Sequence, residues 1–234
     1  MKTIILCGGL GTRILEETKK IPKPMVLIGS KPILWHIIRI YLKFKFKDFF
    51  LAIGYRGKYI KNYFLKNTFE KSVNIHCVNT KKKTMTGGRI LLLKKFIKKD
   101  ETFMVTYGDG VSNINIKKLI KFHRKNKKLA TMTIVRPPAR WGHVSLKRNI
   151  VSSFEEKNQL SEGWINGGFF VFNYEVFKFF KKGERTILEL DVLPYLAKKK
   201  QLIAYKHKSF WQCMDTLRDK IILNKIWYKN KSWS

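Results

Sequence analysis

Two uninterrupted apolar runs, each closed by glycine, constrain this chain more than any other feature. Thr3-Ile4-Ile5-Leu6-Cys7 ends in Gly8-Gly9, and Thr102-Phe103-Met104-Val105-Thr106-Tyr107 ends in Gly108-Asp109-Gly110. A strand wetted on one side alternates apolar and polar residues. A short run without alternation predicts a strand covered on both faces, as in a parallel sheet packed between helices. The segments between carry the complementary pattern. After Pro32, Leu34, Ile37, Ile38, Tyr41 and Leu42 follow helical spacing. Phe49 to Ile53 predicts a strand, Tyr59 to Leu65 a helix, Val73 to Val78 a strand and Ile90 to Ile97 a helix.

Beyond the second run, Ile116 to His123 is helical in pattern and Ala130 to Val135 is strand-like. Alternation at this interval predicts an α/β fold with a doubly wound, mostly parallel, Rossmann-like sheet. The second half is a smaller mixed β region, with strand signals at Val144 to Leu146, Ile150 to Phe154, Trp164 to Phe172 and Leu202 to Tyr205. Helical signals fall at Glu175 to Phe180, Leu188 to Ala197 and Leu217 to Trp227. No linker, repeat or low-complexity stretch divides the chain, so a single domain over 1–234 is expected.

Charge raises a rival reading. Lys plus Arg total 49 against 16 Asp plus Glu, a net charge of +33 among 234 residues. Such an excess invites a nucleic-acid or membrane-surface role, because clustered cations release counterions from a polyanion. Yet 39 of the 49 are lysine, spread in short groups such as Lys81-Lys82-Lys83 and Lys198-Lys199-Lys200. Base and phosphate readers lean on arginine for its bidentate fork. The charge is therefore read as a diffuse solvated surface, with no specific nucleic acid and no membrane as partner.

Cys7, Cys77 and Cys213 have no metal-ligand spacing and form no disulfide framework, and His36, His76, His123, His143 and His207 contain no H-x-x-x-H pair. No apolar stretch approaches 18 residues. A reduced, cytoplasmic protein is expected.

Chemistry concentrates after the first strand. Gly8-Gly9-Leu10-Gly11-Thr12-Arg13 gives a tight turn whose N–H groups can approach a phosphate chain. It is neither a Walker A loop, which would end in Gly-Lys-Ser/Thr, nor the dinucleotide fingerprint, which needs a glycine where Ile14 stands. Lys23 follows in Pro22-Lys23-Pro24-Met25, and two prolines hold it in few conformers. Asp109, between two glycines at the carboxyl end of an inner strand, stands where open α/β sheets bind ligands. Taken alone, it also reads as a turn residue, and Asp215 as a helix N-cap.

These blocks resemble the signature of the sugar-phosphate nucleotidyltransferases. Further blocks occur in order: Lys31 to Ile37, Thr84-Met85-Thr86-Gly87-Gly88-Arg89, Thr106 to Gly110, Ile165-Asn166-Gly167-Gly168-Phe169-Phe170, and Phe210-Trp211-Gln212-Cys213-Met214-Asp215-Thr216. Together they resemble the glucose-1-phosphate cytidylyltransferase branch over nearly the full length. The resemblance implies transfer of a cytidylyl group from CTP to glucose 1-phosphate, with Mg²⁺ as cofactor, pyrophosphate as leaving group and a homo-oligomer as the working form.

It also implies roles. The backbone of Leu6, Cys7, Gly8, Gly9, Leu10, Gly11 and Thr12 would cradle the nucleotide, with Gly108 beside it and Thr84 and Arg89 completing its binding. Arg13 would stabilise the triphosphate, and Lys23 would meet the α-phosphate or the sugar phosphate. Asp109 and Asp215 would hold the metal, and Asp109 would act in catalysis with Arg13 and Lys23. Glu156, Lys157, Asn166 and Gly167 would bind the sugar phosphate. The attacking phosphate oxygen is already anionic near neutrality, so alignment and charge neutralisation suffice and no general base is required. One departure stands out: the segment between Cys77 and Thr84 is shorter than in that branch, which bears on base selectivity and subunit assembly. Asn158 stands where the family usually has proline. The same chemistry with another triphosphate or hexose, a binding-only member and a basic nucleic-acid domain remain the alternatives.

Overall fold

The computed structural model describes residues 1–67, 69–138, 143–155 and 163–233. The first apolar run is β1 (Thr3–Cys7), followed by α1 (Leu15–Thr18), the two-residue strands β2 (Leu27–Ile28) and β3 (Lys31–Pro32), α2 (Ile33–Leu42), β4 (Asp48–Ile53), α3 (Gly57–Lys66), β5 (Asn74–Asn79) and α4 (Thr86–Leu92). Then come β6 (Thr102–Tyr107), β7 (Gly110–Ser112), α5 (Ile116–Asn126), β8 (Ala130–Val135) and the hairpin β9 (His143–Lys147) and β10 (Ile150–Glu155). The chain closes with β11 (Ile165–Asn173), α6 (Leu193–Lys198), β12 (Leu202–Lys206), β13 (Trp211–Cys213) and α7 (Leu217–Asn230).

Seven strands form one sheet in the order β12-β8-β11-β6-β1-β4-β5. Every neighbouring pair is parallel except those of β11, which runs antiparallel to β6 and β8. The pleat sends alternate residues to two cores. Ile5, Leu51, Met104, Phe169 and Val171 pack with α2 and α5 on one face. Ile4, Phe50, Phe103, Val105, Phe170 and Phe172 pack with Ile90, Phe177 and Leu196 on the other. This two-sided burial is why the runs lack alternation.

The chain builds outward from β1 through β4 to β5, then returns to place β6 on the other side of β1. Their carboxyl ends therefore meet at the point where strand order reverses, with Leu6 opposite Tyr107. Ligands of open α/β sheets bind at such a point. Both glycine-rich turns open there.

Several elements differ from the sequence expectation. Helix α4 starts at Thr86 rather than Ile90 and gives way to a 3-10 turn at Lys94–Phe96. Its early start is set by packing: Gly88 N donates to Thr186 O at 2.9 Å, and a Cβ on Gly88 would lie 2.2 Å from Glu184 O. The Glu175–Phe180 helix is a 3-10 segment, Tyr174–Phe179. The helix expected from Leu188 is a wide π-type turn at Leu188–Val192 before α6, whose first turn holds Pro194. Proline has no N–H to continue a helical ladder from the preceding turn. Among the described residues no helix is long and apolar enough to cross a membrane.

Candidate active site

A three-residue ladder assembles the charged centre. Strand β13 pairs antiparallel with β7, setting Cys213 opposite Gly110, and Met214 N donates to Asp109 O at 2.8 Å. Asp109 and Asp215 are thereby brought side by side from positions 106 residues apart in sequence. Lys23 enters from the 3-10 turn Lys23–Met25, with Pro22 at its N-cap and Pro24 within it. Its Nζ donates to Asp109 Oδ2 and to Asp215 Oδ1, each at 2.6 Å. The lysine is buried. Burial alone would lower its pKa, but the charge and hydrogen bonds of Asp109 and Asp215 outweigh that and hold it above the ordinary lysine value.

The N-cap role that Asp215 could have played belongs to its neighbour. Thr216 caps α7 in a capping box with Asp219, whose Oδ2 also accepts from Asp215 N at 3.0 Å. The Asp215 carboxylate is thus turned toward Lys23. Cys213 lies alongside, its thiol donating to Asp215 Oδ2 at 3.7 Å. Burial first, then Asp215 and Asp109, push this thiol up to about 12, so it is protonated and no nucleophile.

One ammonium bridges two carboxylates here in a partly buried place. The donor set suits Mg²⁺. Mg²⁺ takes one or two carboxylates and keeps phosphate oxygens and water as its other ligands. The described residues hold no cluster of three His, Cys, Asp or Glu side chains that would close around a metal. Asp109 and Asp215 would supply two carboxylates to such an ion.

The glycine loop is braced from behind by Arg89. Its Nη2 donates to Gly8 O at 2.8 Å, and its Nη1 to Thr80 Oγ1 at 2.5 Å and Lys81 O at 2.9 Å. The side chain expected to complete nucleotide binding is therefore engaged with protein acceptors. A Cβ on Gly8 would lie 2.0 Å from Arg89 Nη1. The same guanidinium pins the short segment after β5, while Thr80 Oγ1 donates to Ile53 O at 2.8 Å. Thr84 is also turned inward, its hydroxyl donating to Glu184 Oε2 at 3.1 Å. Gly11 takes φ +68°, and Thr18 Oγ1 donates to its carbonyl at 3.0 Å. Leu6 and Cys7 lie on β1 with the Cys7 side chain in the core, so their offering to a ligand is backbone. Gly9 and Leu10 are exposed at the loop's crest, next to Thr12. Gly108 lets the strand ends approach: a Cβ there would sit 2.8 Å from Leu6 O and 3.2 Å from Pro24 Cγ.

Asn166-Gly167-Gly168 forms the facing wall, at a shift of register between β11 and β8. Asn166 Nδ2 donates to Tyr107 Oη at 3.1 Å, and Trp211 Nε1 donates to Gly167 O at 2.8 Å. Gly168 has φ +79°, and a Cβ there would meet the Tyr107 ring at 2.6 Å. Tyr107, Trp211, Glu184 and Glu189 were not singled out as site residues from sequence. Tyr107 reads there as the last residue of a buried strand, and the glutamates stand in no motif.

Arg13 lies in the 3-10 turn Thr12–Ile14, and its side chain falls outside the described set. Glu156 and Lys157, with Asn158, lie outside the described residues.

Residues 2–222 match the family model described as nucleotidyl transferase. The chain is 44% identical to glucose-1-phosphate cytidylyltransferase of Salmonella typhimurium, covering 99% of this chain and 98% of that protein. It is 36% identical to D-glycero-alpha-D-manno-heptose 1-phosphate guanylyltransferase of Campylobacter jejuni, over 81% of this chain and 83% of that protein. Among solved structures, the UTP-bound UGPase of Acinetobacter baumannii superposes with a TM-score of 0.75 at 16% identity, covering 99% of this chain and 95% of that chain. Matched by the family model over residues 2–222 and 44% identical to a curated member along nearly its whole length, this chain belongs to the nucleotidyl transferase family.

Proposed function

We propose that this chain transfers the cytidylyl group of CTP to glucose 1-phosphate, giving CDP-glucose and pyrophosphate, with Mg²⁺ held by Asp109 and Asp215. The observation that carries the reading is the Lys23 bridge between those two carboxylates at the switch point, together with the 44% identity to the Salmonella cytidylyltransferase. The metal, when bound, supplies charge neutralisation at the phosphates.

The chain's own residues do the rest. Gly8 to Thr12 present backbone N–H groups to the triphosphate, as the glycine-built turn allows. Arg13 and Lys23 bring positive charge to the α-phosphate, where the sugar phosphate oxygen attacks in line and pyrophosphate departs. Asn166 and Gly167 face the sugar, and the family resemblance assigns Glu156 and Lys157 to its phosphate. Arg89 and Thr84 act on the nucleotide indirectly, by fixing the Gly8 carbonyl and the Glu184 carboxylate. No side chain has to remove a proton from the nucleophile. The reading carries with it one catalytic domain over 1–234, assembled from identical subunits in the cytoplasm.

Base choice is the sharpest test, because Arg89 ties down the short segment ahead of Thr84. Pyrophosphate release should be measured with CTP, UTP, dTTP, GTP and ATP, each with glucose 1-phosphate and Mg²⁺. Release with CTP well above the others is expected. Release with another triphosphate but not CTP would overturn the cytidylyl assignment, and silence with all five would overturn catalysis.

A further inference from the structure

Glu189 stands in the wide turn Leu188–Val192. Turns of this kind are rare and recur at functional sites. Its Oε2 accepts from Thr86 Oγ1 at 2.6 Å, and its Oε1 accepts from Tyr107 Oη at 2.5 Å. Thr86 is the first residue of α4, the helix that runs through Gly87-Gly88 to Arg89 and so to the Gly8 carbonyl. Tyr107 ends β6 and accepts from Asn166 Nδ2. One carboxylate thus joins the helix behind the nucleotide loop to the wall that faces the sugar.

The chemistry of a carboxylate makes this link directional. An ionised carboxylate only accepts. Both hydroxyls must therefore donate to Glu189, which leaves each with acceptor capacity alone. Thr86 Oγ1 accepts from Leu188 N at 3.0 Å, and Tyr107 Oη accepts from Asn166. The Asn166 amide is then fixed, Nδ2 toward Tyr107 and Oδ1 toward Gly168 N at 2.8 Å. Burial, followed by the Glu189 charge, pushes the Tyr107 hydroxyl well above its ordinary value and keeps its proton in place. A glutamine could satisfy both hydroxyls only by reversing one donor, and an alanine would release both.

We infer that Glu189 is a positioning residue that couples the nucleotide half of the site to the sugar half through Thr86 on one side and Tyr107 and Asn166 on the other. The inference rests on the nucleotidyl-transfer reading above. It says that occupancy of one half sets the geometry of the other, so that each ligand tightens the other by the same factor, as linkage requires.

The test is calorimetric, on the full chain with Mg²⁺. An α,β-methylene analogue of the triphosphate selected by the nucleotide panel is titrated with and without saturating glucose 1-phosphate. The wild type should bind the analogue at least about fivefold more tightly when the sugar phosphate is present, within the usual range of site-to-site coupling. In Glu189→Ala the tightening should fall below about twofold, while each ligand alone binds within about threefold of wild type; Glu189→Gln should lie between. Should Glu189→Ala fail to fold, Tyr107→Phe cuts the same link with the ring kept and must show the same loss. Full tightening in either variant, or none in the wild type, overturns the inference, as does an equal loss of both separate affinities with the coupling intact. A wild type that turns over a triphosphate yet shows no coupling sinks this inference and leaves the catalytic reading standing. A wild type that binds no analogue sinks both.

Discussion

Lys23 Nζ lies 2.6 Å from Asp109 Oδ2 and holds Asp215 Oδ1 at the same distance, so one cation stands between the two acids proposed to carry the metal. On the proposed reading, a divalent ion held by these acids would compete with that ammonium. Lys23 would then serve two states: counter-charge to the acids without ligand, and partner of the phosphates when metal and nucleotide are bound. Lys23→Met should therefore bind Mn²⁺ more tightly than wild type in the absence of nucleotide, read by electron paramagnetic resonance. Turnover should fall by about 10²-fold or more, as when one preorganised charge at the transition state is lost. Unchanged or weaker Mn²⁺ affinity would remove the competition from the account.

Asp109→Asn keeps the shape of the side chain and halves the charge of the acid pair. Pyrophosphate release should drop by about 10²–10³, and Arg13→Ala should cost a similar factor. A loss below tenfold in either variant would show that the residue neither holds the metal nor meets the developing charge.

The close approach of Arg89 to Gly8 makes a third prediction. A methyl group at residue 8 would lie 2.0 Å from Nη1, and that guanidinium has no slack because the Thr80 hydroxyl and the Lys81 and Gly8 carbonyls hold it. Gly8→Ala should destabilise the fold by about 1–3 kcal/mol, the range for overpacking. It should also raise KM for the triphosphate more than KM for the sugar phosphate. Equal effects on both constants would mean that Arg89 braces the fold at large and not the loop.

Much of this is legible in the sequence. The strand runs announced a doubly covered sheet because β1 and β6 present side chains to both cores. Lys23 was legible because two prolines limit its conformers, and Asp109 because glycines flank it at a strand end. The meeting of Asp215 with Asp109 was visible only through family resemblance, since it depends on the short β7–β13 ladder, which has no length or alternation to mark it. The motif marks Arg89 as a ligand-binding group because a motif reports which residues matter and not which way a side chain turns. Glu189 was invisible: its two hydroxyl partners lie 103 and 82 residues away, and nothing local distinguishes it from a surface glutamate.

His36 gives the fold a pH dependence separate from catalysis. Its Nε2 donates to Ile28 O at 2.9 Å, its Nδ1 is buried without a partner, and its ring packs edge-on against Trp227 at 4.4 Å and Trp35 at 5.2 Å. Burial outweighs the hydrogen bonds to Ile28 and Lys31 and depresses its pKa to about 4, against 6.5 in an unfolded chain. Between those values the unfolded chain binds a proton that the folded chain refuses, so stability falls as pH falls from 6.5 toward 4 and this contribution levels off below that. At pH 5 the loss from this residue should be about 2 kcal/mol relative to pH 7. His36→Phe cannot take the proton. Burial also lowers His123 and His207, and these remain in both proteins, so their contribution cancels in the comparison. Urea unfolding at constant ionic strength should show the stability gap between wild type and His36→Phe narrowing by about 2 kcal/mol from pH 7 to pH 5. Parallel stability curves over that window would mean that the ring accepts its proton inside the folded tryptophan cage.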